Sequence, residues 1–294
     1  MSVSFIRPPR LKPGARVAAL SLSSGFVTEV MARYQAGVRQ CAKEFGWEVV
    51  PTPNALRGPD FLYENPQARA DDLHWALENP DVHGLVSIIG GDDSIRVLPH
   101  LELETIRRHP KAFLGYSDST VTLLQFLRAG VMAYHGPALL TDLAESGGMN
   151  PCVVEGVRRA LINDPEPFDL MPAPEWTELH QPWTPELQDT RRSHQPGEGW
   201  TWLQGTEPAE GHLIGGCAEV LDMLNGARPA GLTRKCGAAQ SWCWKLQRTC
   251  RRPLRWGTGS GITPRRAFSR VFPGCCWPAR AGTPWGRNTT CTPG

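Results

Sequence analysis

Between Ala15 and Pro137 short apolar runs alternate with stretches whose apolar residues recur every three or four positions, the pattern of strands and helices woven into an α/β layer structure. Residues 17–22 predict a first strand and 23–25 the loop after it. Helical spacing comes next over 30–45, where Met31, Tyr34, Val38, Cys41 and Phe45 share a stripe. Gly46 is the stop signal, and 47–50 predict a second strand. Asn65-Pro66 opens another helix carrying Ala70, Leu73, Trp75, Ala76 and Leu77. Residues 84–89 are almost wholly apolar, as a central parallel strand buried on both faces must be. A further strand at 112–114 leads through Gly115-Tyr116-Ser117-Asp118 into a helix over 119–128, and 131–134 form a last strand before His135-Gly136-Pro137.

The periodicity then fades. Over 164–201 the chain turns to Pro, Glu, Trp and Gln, which suggests an extended crossing between domains. Residues 210–216 predict a strand and 217–224 a helix, the start of a second domain. The division expected is an α/β domain over 1–163, a linker over 164–205, the beginning of a smaller mixed domain over 206–226, and a tail over 227–294.

Charge sets that tail apart. The first 226 residues hold 18 Lys and Arg and all 29 Asp and Glu; the last 68 hold 13 basic residues, no acid and no His, with 6 of the 9 Cys and 5 of the 11 Trp. The overall charge of +2 therefore hides two opposite parts. The start has no apolar stretch of signal-peptide length, and no run approaches the roughly 18 apolar residues of a membrane span, so a soluble cytoplasmic protein without membrane partners is expected. Cys41, Cys152 and Cys217 are too sparse for a disulfide framework and read as small buried side chains.

Where strand 112–114 gives way to a helix, Gly115-Tyr116-Ser117-Asp118 can lift the serine hydroxyl above the sheet and put the next backbone N–H near a developing oxyanion. The fifth position of such a nucleophile elbow is Ser119 here rather than glycine, and capping of the helix by Ser117 or Asp118 explains the tetrapeptide equally well. Gly90-Gly91-Asp92-Asp93-Ser94-Ile95-Arg96 comes after a buried strand too, so it belongs at the same carboxyl edge. Its glycines permit close approach to a ligand, or simply a tight turn with Asp93 capping the next helix. Arg96 suits a substrate carboxylate, or an ion pair with Asp92 or Asp93. His135 suits a general base, or a structural role in its turn.

Taken together, Gly90 to Pro99, Pro110 to Thr120, His135-Gly136-Pro137 and Gly215-Gly216 before a helix resemble the LD-carboxypeptidase and microcin-immunity carboxypeptidase family over about residues 5 to 226. The Gly-Gly-Asp-Asp-Ser-Ile-Arg form looks closer to the microcin-immunity branch. The resemblance implies a flavodoxin-like N-terminal domain and a smaller mixed C-terminal domain, with Ser117 as nucleophile and an oxyanion hole from the backbone of Asp118 and of the Gly90-Gly91 loop, Gly91 above all. It implies hydrolysis of an amide near a free carboxylate, without metal or other cofactor, on a cell-wall peptide or a peptidyl-nucleotide. A homodimer is implied as well.

Family members complete a Ser-His-Glu triad from the C-terminal domain, and a serine needs that base. Here both groups are missing after Asp222, and the departure begins at Asn225-Gly226. Trp242-Cys243-Trp244-Lys245 must be encoded TGG, TGT or TGC, TGG, and AAA or AAG; taking the third base of each codon with the first two of the next gives Val-Leu-Glu whatever synonyms were used. Likewise Gly274-Cys275-Cys276-Trp277 yields two forced leucines. The expectation is a tail translated out of frame, ending before the family's histidine, in a chain that is nearly inactive unless His135 or His212 serves as base. Two competing readings stand beside it. Thirteen unopposed basic charges with interspersed Trp suit nucleic acid, against which stands the lack of any recognisable binding motif; a non-catalytic pseudoenzyme is the other. The seven-residue spacing of Cys236, Cys243 and Cys250 is not that of a zinc site.

Overall fold

The computed structural model describes residues 5–163, 169–201, 212–225 and 240–245. Five parallel strands, β1 (Arg16–Leu20), β2 (Glu48–Pro51), β3 (Gly84–Ser87), β4 (Ala112–Gly115) and β5 (Tyr134–His135), form one sheet in the order β2-β1-β3-β4-β5. That is the flavodoxin-like order, so the α/β fold is as expected. Five helices accompany the strands: α1 (Met31–Phe45), α2 (Pro59–Glu64), α3 (Pro66–Glu78), α4 (Leu103–Arg108) and α5 (Thr120–Arg128). A sixth, α6 (Pro151–Val157), comes after the sheet.

Alternation along the strands builds two cores. Val17, Ala19, Val86, Ile88 and Leu114 face α1 and α6, packing with Tyr34, Cys41, Phe45, Val154 and Val157. Ala18, Leu20, Leu85 and Phe113 face the other way, onto Leu73 and Leu77 of α3, Ile106 of α4, and Leu123 and Phe126 of α5. Successive strand residues point to opposite faces, so a strand covered on both must be apolar throughout. Phe113 and Phe126 stack with ring centroids 5.3 Å apart. Helix α1 ends where the sequence placed its stop, at Gly46 with φ +69°.

Three differences from the expected elements have identifiable causes. The last strand is short: only Tyr134 and His135 pair with β4, while Val131 makes an isolated bridge to Ile6. Helix α2 was not anticipated; Pro at its first turn after Gly58 sets it. The crossing is also more ordered than its composition suggested. It carries an antiparallel pair, β6 (Glu175–Trp176) with β7 (Gln195–Pro196). Arg192 ties it to the buried Glu145 at 2.6 Å, and Trp183 lies under the guanidinium of Arg33, 5.0 Å from ring centroid to Cζ.

Beyond the crossing, β8 (His212–Cys217) and α7 (Ala218–Asn225) fall where the strand and helix were expected. Val220, Leu221 and Leu224 of α7 pack with Val121 and Leu124 of α5. A last strand, β9 (Gln240–Lys245), lies parallel to β8, Gln240 opposite His212 and Lys245 opposite Cys217. The rest of the tail, including 274–277 and most of the proposed frame change, lies outside the described residues. Among the described residues no helix is long and apolar enough to cross a membrane.

Candidate functional site

The strand order reverses between β1 and β3, and crevices at the carboxyl edge of such sheets open at that reversal. The loop after β1 brings Ser23 there, the loop after β3 brings Gly90 to Arg96, and the turn after β4 brings Ser117 and Asp118. Sequence reasoning placed the last two loops together, and the structure does the same.

Ser117 has φ +59° and is the one non-glycine residue with positive φ among the described residues. Holding an L-residue there costs of order 1 kcal/mol or more, and such strain gathers at sites that need a side chain aimed. Capping does not explain the turn: neither the short 3-10 turn at Ser117–Ser119 nor α5 receives a side-chain cap. Asp118 is fully buried and points elsewhere, accepting hydrogen bonds from the Ser94 N–H at 2.8 Å, the Asp93 N–H at 3.0 Å and the Ser23 hydroxyl at 2.5 Å.

Gly90 packs against the serine. A methyl group on its Cα would sit 2.9 Å from Ser117 Cβ, 3.0 Å from Ser117 Oγ and 3.3 Å from the Asp118 nitrogen, so only glycine lets the two backbones approach this closely. Gly91, exposed and with φ +155°, meets Ser23 and Ser24 on its inner side. Gly90 is thus the residue of that loop that lies close to both the Ser117 side chain and the Asp118 nitrogen.

The other candidates divide. Asp93 makes no cap; it pairs with Arg69 at 3.0 Å and with Arg96 at 3.5 Å. Arg96 also donates to the Tyr63 carbonyl at 2.6 Å and lies 4.5 Å over the Tyr63 ring, so of its two readings the ion pair with Asp93 is the one present. His135 is exposed, its ring edge-on to Tyr116 at 6.4 Å. His212 opens β8, and its side chain lies outside the described part of the structure. Among the described residues no three His, Cys, Asp or Glu side chains converge as a metal site.

Sequence reasoning missed three contributors. Ser23 and Ser94 sit in loops too common in composition to stand out. Arg69 left a signal: it lies on the apolar stripe of α3 with Leu73 and Ala76, at positions i, i+4 and i+7, where a charge needs a reason. Its side chain is wholly buried and donates to the Leu22 and Ser23 carbonyls at 3.2 Å each. Burial lowers its pKa, with Asp93 opposing that shift.

Strand β8 reaches the same turn. Gly216 lies against Thr120, where an added methyl would come within 2.8 Å of the hydroxyl oxygen, and Cys217 donates its N–H to that oxygen at 3.0 Å. Strand β8 is thereby fixed three residues from Ser117.

Known proteins resemble this chain in sequence and in fold. The family described as the LD-carboxypeptidase N-terminal domain matches residues 17–136. YocD of Bacillus subtilis is 29% identical over 219 residues, covering 74% of this chain and 64% of its own. The microcin C7 self-immunity protein MccF of Escherichia coli is 27% identical over 221 residues, covering 74% and 63%. The chain thus spans a little under two thirds of the length of these relatives. Among solved structures, an MccF-like protein from Streptococcus pneumoniae in complex with AMP superposes with a TM-score of 0.65 at 28% identity, covering 73% of this chain and 64% of that one.

Proposed function

We propose, for a chain that belongs to the LD-carboxypeptidase family with its MccF-like members, that the α/β domain is built to hydrolyse an amide bond beside a free carboxylate, with Ser117 as nucleophile. The observation that carries this reading is the strained Ser117 turn lying within van der Waals reach of the Gly90 backbone. In the reaction the Ser117 Oγ attacks the substrate carbonyl carbon, and the carbonyl oxygen takes the charge. The N–H groups of Asp118 and Gly91 receive that oxyanion, worth about 3 to 4 kcal/mol of barrier per donor at such sites. A base takes the hydroxyl proton during the attack and passes it to the leaving nitrogen, so collapse of the tetrahedral intermediate breaks the C–N bond and expels a neutral amine, and water then releases the acyl group as a carboxylate.

The substrate proposed is a cell-wall peptide or a peptidyl-nucleotide. The Gly-Gly-Asp-Asp-Ser-Ile-Arg loop and the AMP-bound relative favour the nucleotide-linked class. Arg96, held by Asp93 and Tyr63, keeps its remaining guanidinium edge as the proposed contact for a substrate carboxylate. A cytoplasmic homodimer without cofactor completes the reading, with a catalytic domain over 1–163 and a second domain beginning near 206.

What this chain lacks is the base. No Asp, Glu or His occurs after Asp222, and the proposal is that the sequence from about Ala227 is read out of frame. The register of β9 supports it. The shifted Val-Leu-Glu falls on the end of that strand, whose last residues Trp244 and Lys245 lie opposite Gly216 and Cys217. A glutamate there suits the acid of a triad. Sequencing the coding DNA tests the idea: stop codons in the alternative frame between Gly226 and Trp244 refute it. A fluorophosphonate probe tests the nucleophile. It should label a restored-frame protein at Ser117 and this chain weakly or not at all; labelling elsewhere, or none after restoration, refutes the assignment. The unopposed basic tail favours one second reading, nucleic-acid binding. A salt-sensitive affinity for DNA or RNA that disappears on removing 227–294 would establish that one instead.

A further inference from the structure

Asp118 enters the chemistry above only through its backbone, yet its side chain joins three loops. One carboxylate oxygen takes the Ser23 hydroxyl from the loop after β1, at 2.5 Å, and the N–H groups of Asp93 and Ser94 from the loop after β3, at 3.0 and 2.8 Å. The Ser94 hydroxyl returns a bond to the Asp118 carbonyl at 2.7 Å. Arg69 braces the same loops from α3, through the Leu22 and Ser23 carbonyls and the Asp93 carboxylate. Asp118, Arg69 and Ser94 are all withdrawn from water.

Burying a carboxylate this deeply is unfavourable unless several donors receive it. A helix cap or a surface turn needs nothing of the kind. What the arrangement achieves is metric: a side chain of two rotatable bonds reaches both loops only when they stand at one separation. That separation is also the one between the Gly90-Gly91 backbone and Ser117, because Asp93 and Ser94 come just after the glycines and Asp118 comes directly after the serine.

We infer that the Asp118 carboxylate is a positioning residue that holds the Gly90-Gly91 backbone against the Ser117 turn at the spacing an oxyanion needs from two N–H groups. The inference rests on the reading of Ser117 as nucleophile and adds a role that the backbone assignment does not contain. Its other oxygen has no hydrogen-bond partner among the described residues, so an asparagine can keep the acceptor and put its amide in that place. Neutral bonds are about half as strong as charge-assisted ones, so the substitute should hold the loop more loosely.

Site-resolved amide exchange on the full chain tests this. In Asp118→Ala the Asp93 and Ser94 amides should exchange at least tenfold faster, and in Asp118→Asn at least threefold faster. The Ile88 amide, bonded to the Leu20 carbonyl inside the sheet at 2.8 Å, should stay unchanged. If the alanine variant does not fold, the asparagine variant carries the test. Unchanged exchange at Asp93 and Ser94 in Asp118→Asn, or a rise shared by Ile88, overturns the inference. In the restored-frame protein, Asp118→Ala should lower kcat at least tenfold with KM within threefold, and Asp118→Asn should recover part of the loss; equal effects on both constants count against positioning. Failure of the nucleophile reading shows separately, as a Ser117 that takes no phosphonate while the amide response persists.

Discussion

Cys217 donates its backbone N–H to the hydroxyl of Thr120 at 3.0 Å, across 97 residues of chain. This bond joins β8 to the first residue of α5, and the apolar contacts of α7 with Val121 and Leu124 continue the same joint. A strand that arrives late in the sequence is thereby registered against the turn that carries Ser117.

Disturbing this joint should weaken the fold. Thr120→Val removes a buried acceptor and leaves the Cys217 N–H unpaired, a loss of about 1 to 3 kcal/mol. Gly216→Ala forces a methyl into Thr120, and overpacking of this kind costs about 1 to 3 kcal/mol. Urea denaturation of each variant measures both; unchanged midpoints would show that β8 is not docked there.

Gly90→Ala should separate chemistry from stability. The new methyl falls 2.9 Å from Ser117 Cβ, so the loop or the serine must shift. Loss of one oxyanion donor lowers rates about 100-fold to 1000-fold. Phosphonate labelling of the restored-frame Gly90→Ala protein should drop by that order while the strand amides keep their exchange protection. Labelling at the parent rate would remove the Gly90-Gly91 loop from the site.

The cysteines among the described residues should differ in reactivity. Cys41 and Cys217 are buried, and burial pushes their thiols up to about 12 and about 11, helped at Cys217 by the hydrogen bond to Glu219. At pH 8 the thiolate is then about a thousandth of the total or less. Cys152 is exposed, against the expectation that all three would be buried. Iodoacetamide treatment and peptide mapping should mark Cys152 in minutes and spare Cys41 and Cys217 in the native protein.

Lys111 supplies a pH dependence. Its ammonium donates to the Ala76 and Asn79 carbonyls at the end of α3, at 2.9 and 2.6 Å, and burial lowers its pKa to about 8 from 10.5. The unfolded chain therefore binds the proton more tightly. Lys111's contribution to stability should rise with pH from about 8 to about 10.5, be complete above that range, and be lost as pH falls through 8. Thermal unfolding of the parent and of Lys111→Met at pH 7.5 and 10 should show a stability gap that moves in the parent's favour at the higher pH.

Much of the domain was legible because its signals are local. Residues 84–89 could only be a strand buried on two faces, since every side chain is apolar or small, and the spacing of Met31, Tyr34, Val38, Cys41 and Phe45 left one reading for α1. The end of the sheet was harder to place. Residues 131–134 have strand composition, but the pairing partner of Tyr134 and His135 lies on β4, and Val131 finds Ile6 instead. Pairing partners far along the chain leave no mark in the periodicity. The crossing misled for a related reason: its hold on the domain comes from Arg192 with Glu145 and from Trp183 with Arg33, contacts between residues with no shared pattern.

At the site, residue type and order pointed to Ser117 and to the Gly90-Gly91 loop, because a strand leading into glycine and a small polar residue restricts what the backbone can do next. Composition also exposed the change after Gly226, since charge and residue type are properties of the chain before it folds. The clamp of Ser23, Arg69, Asp93, Ser94 and Asp118 was beyond that kind of reading. Those five residues come from β1, α3, β3 and β4 connections, and their bonds exist only once the parallel sheet has brought its carboxyl edge together. Local chemistry writes the elements, whereas the direction of a buried carboxylate is set by whichever donors the fold delivers to it.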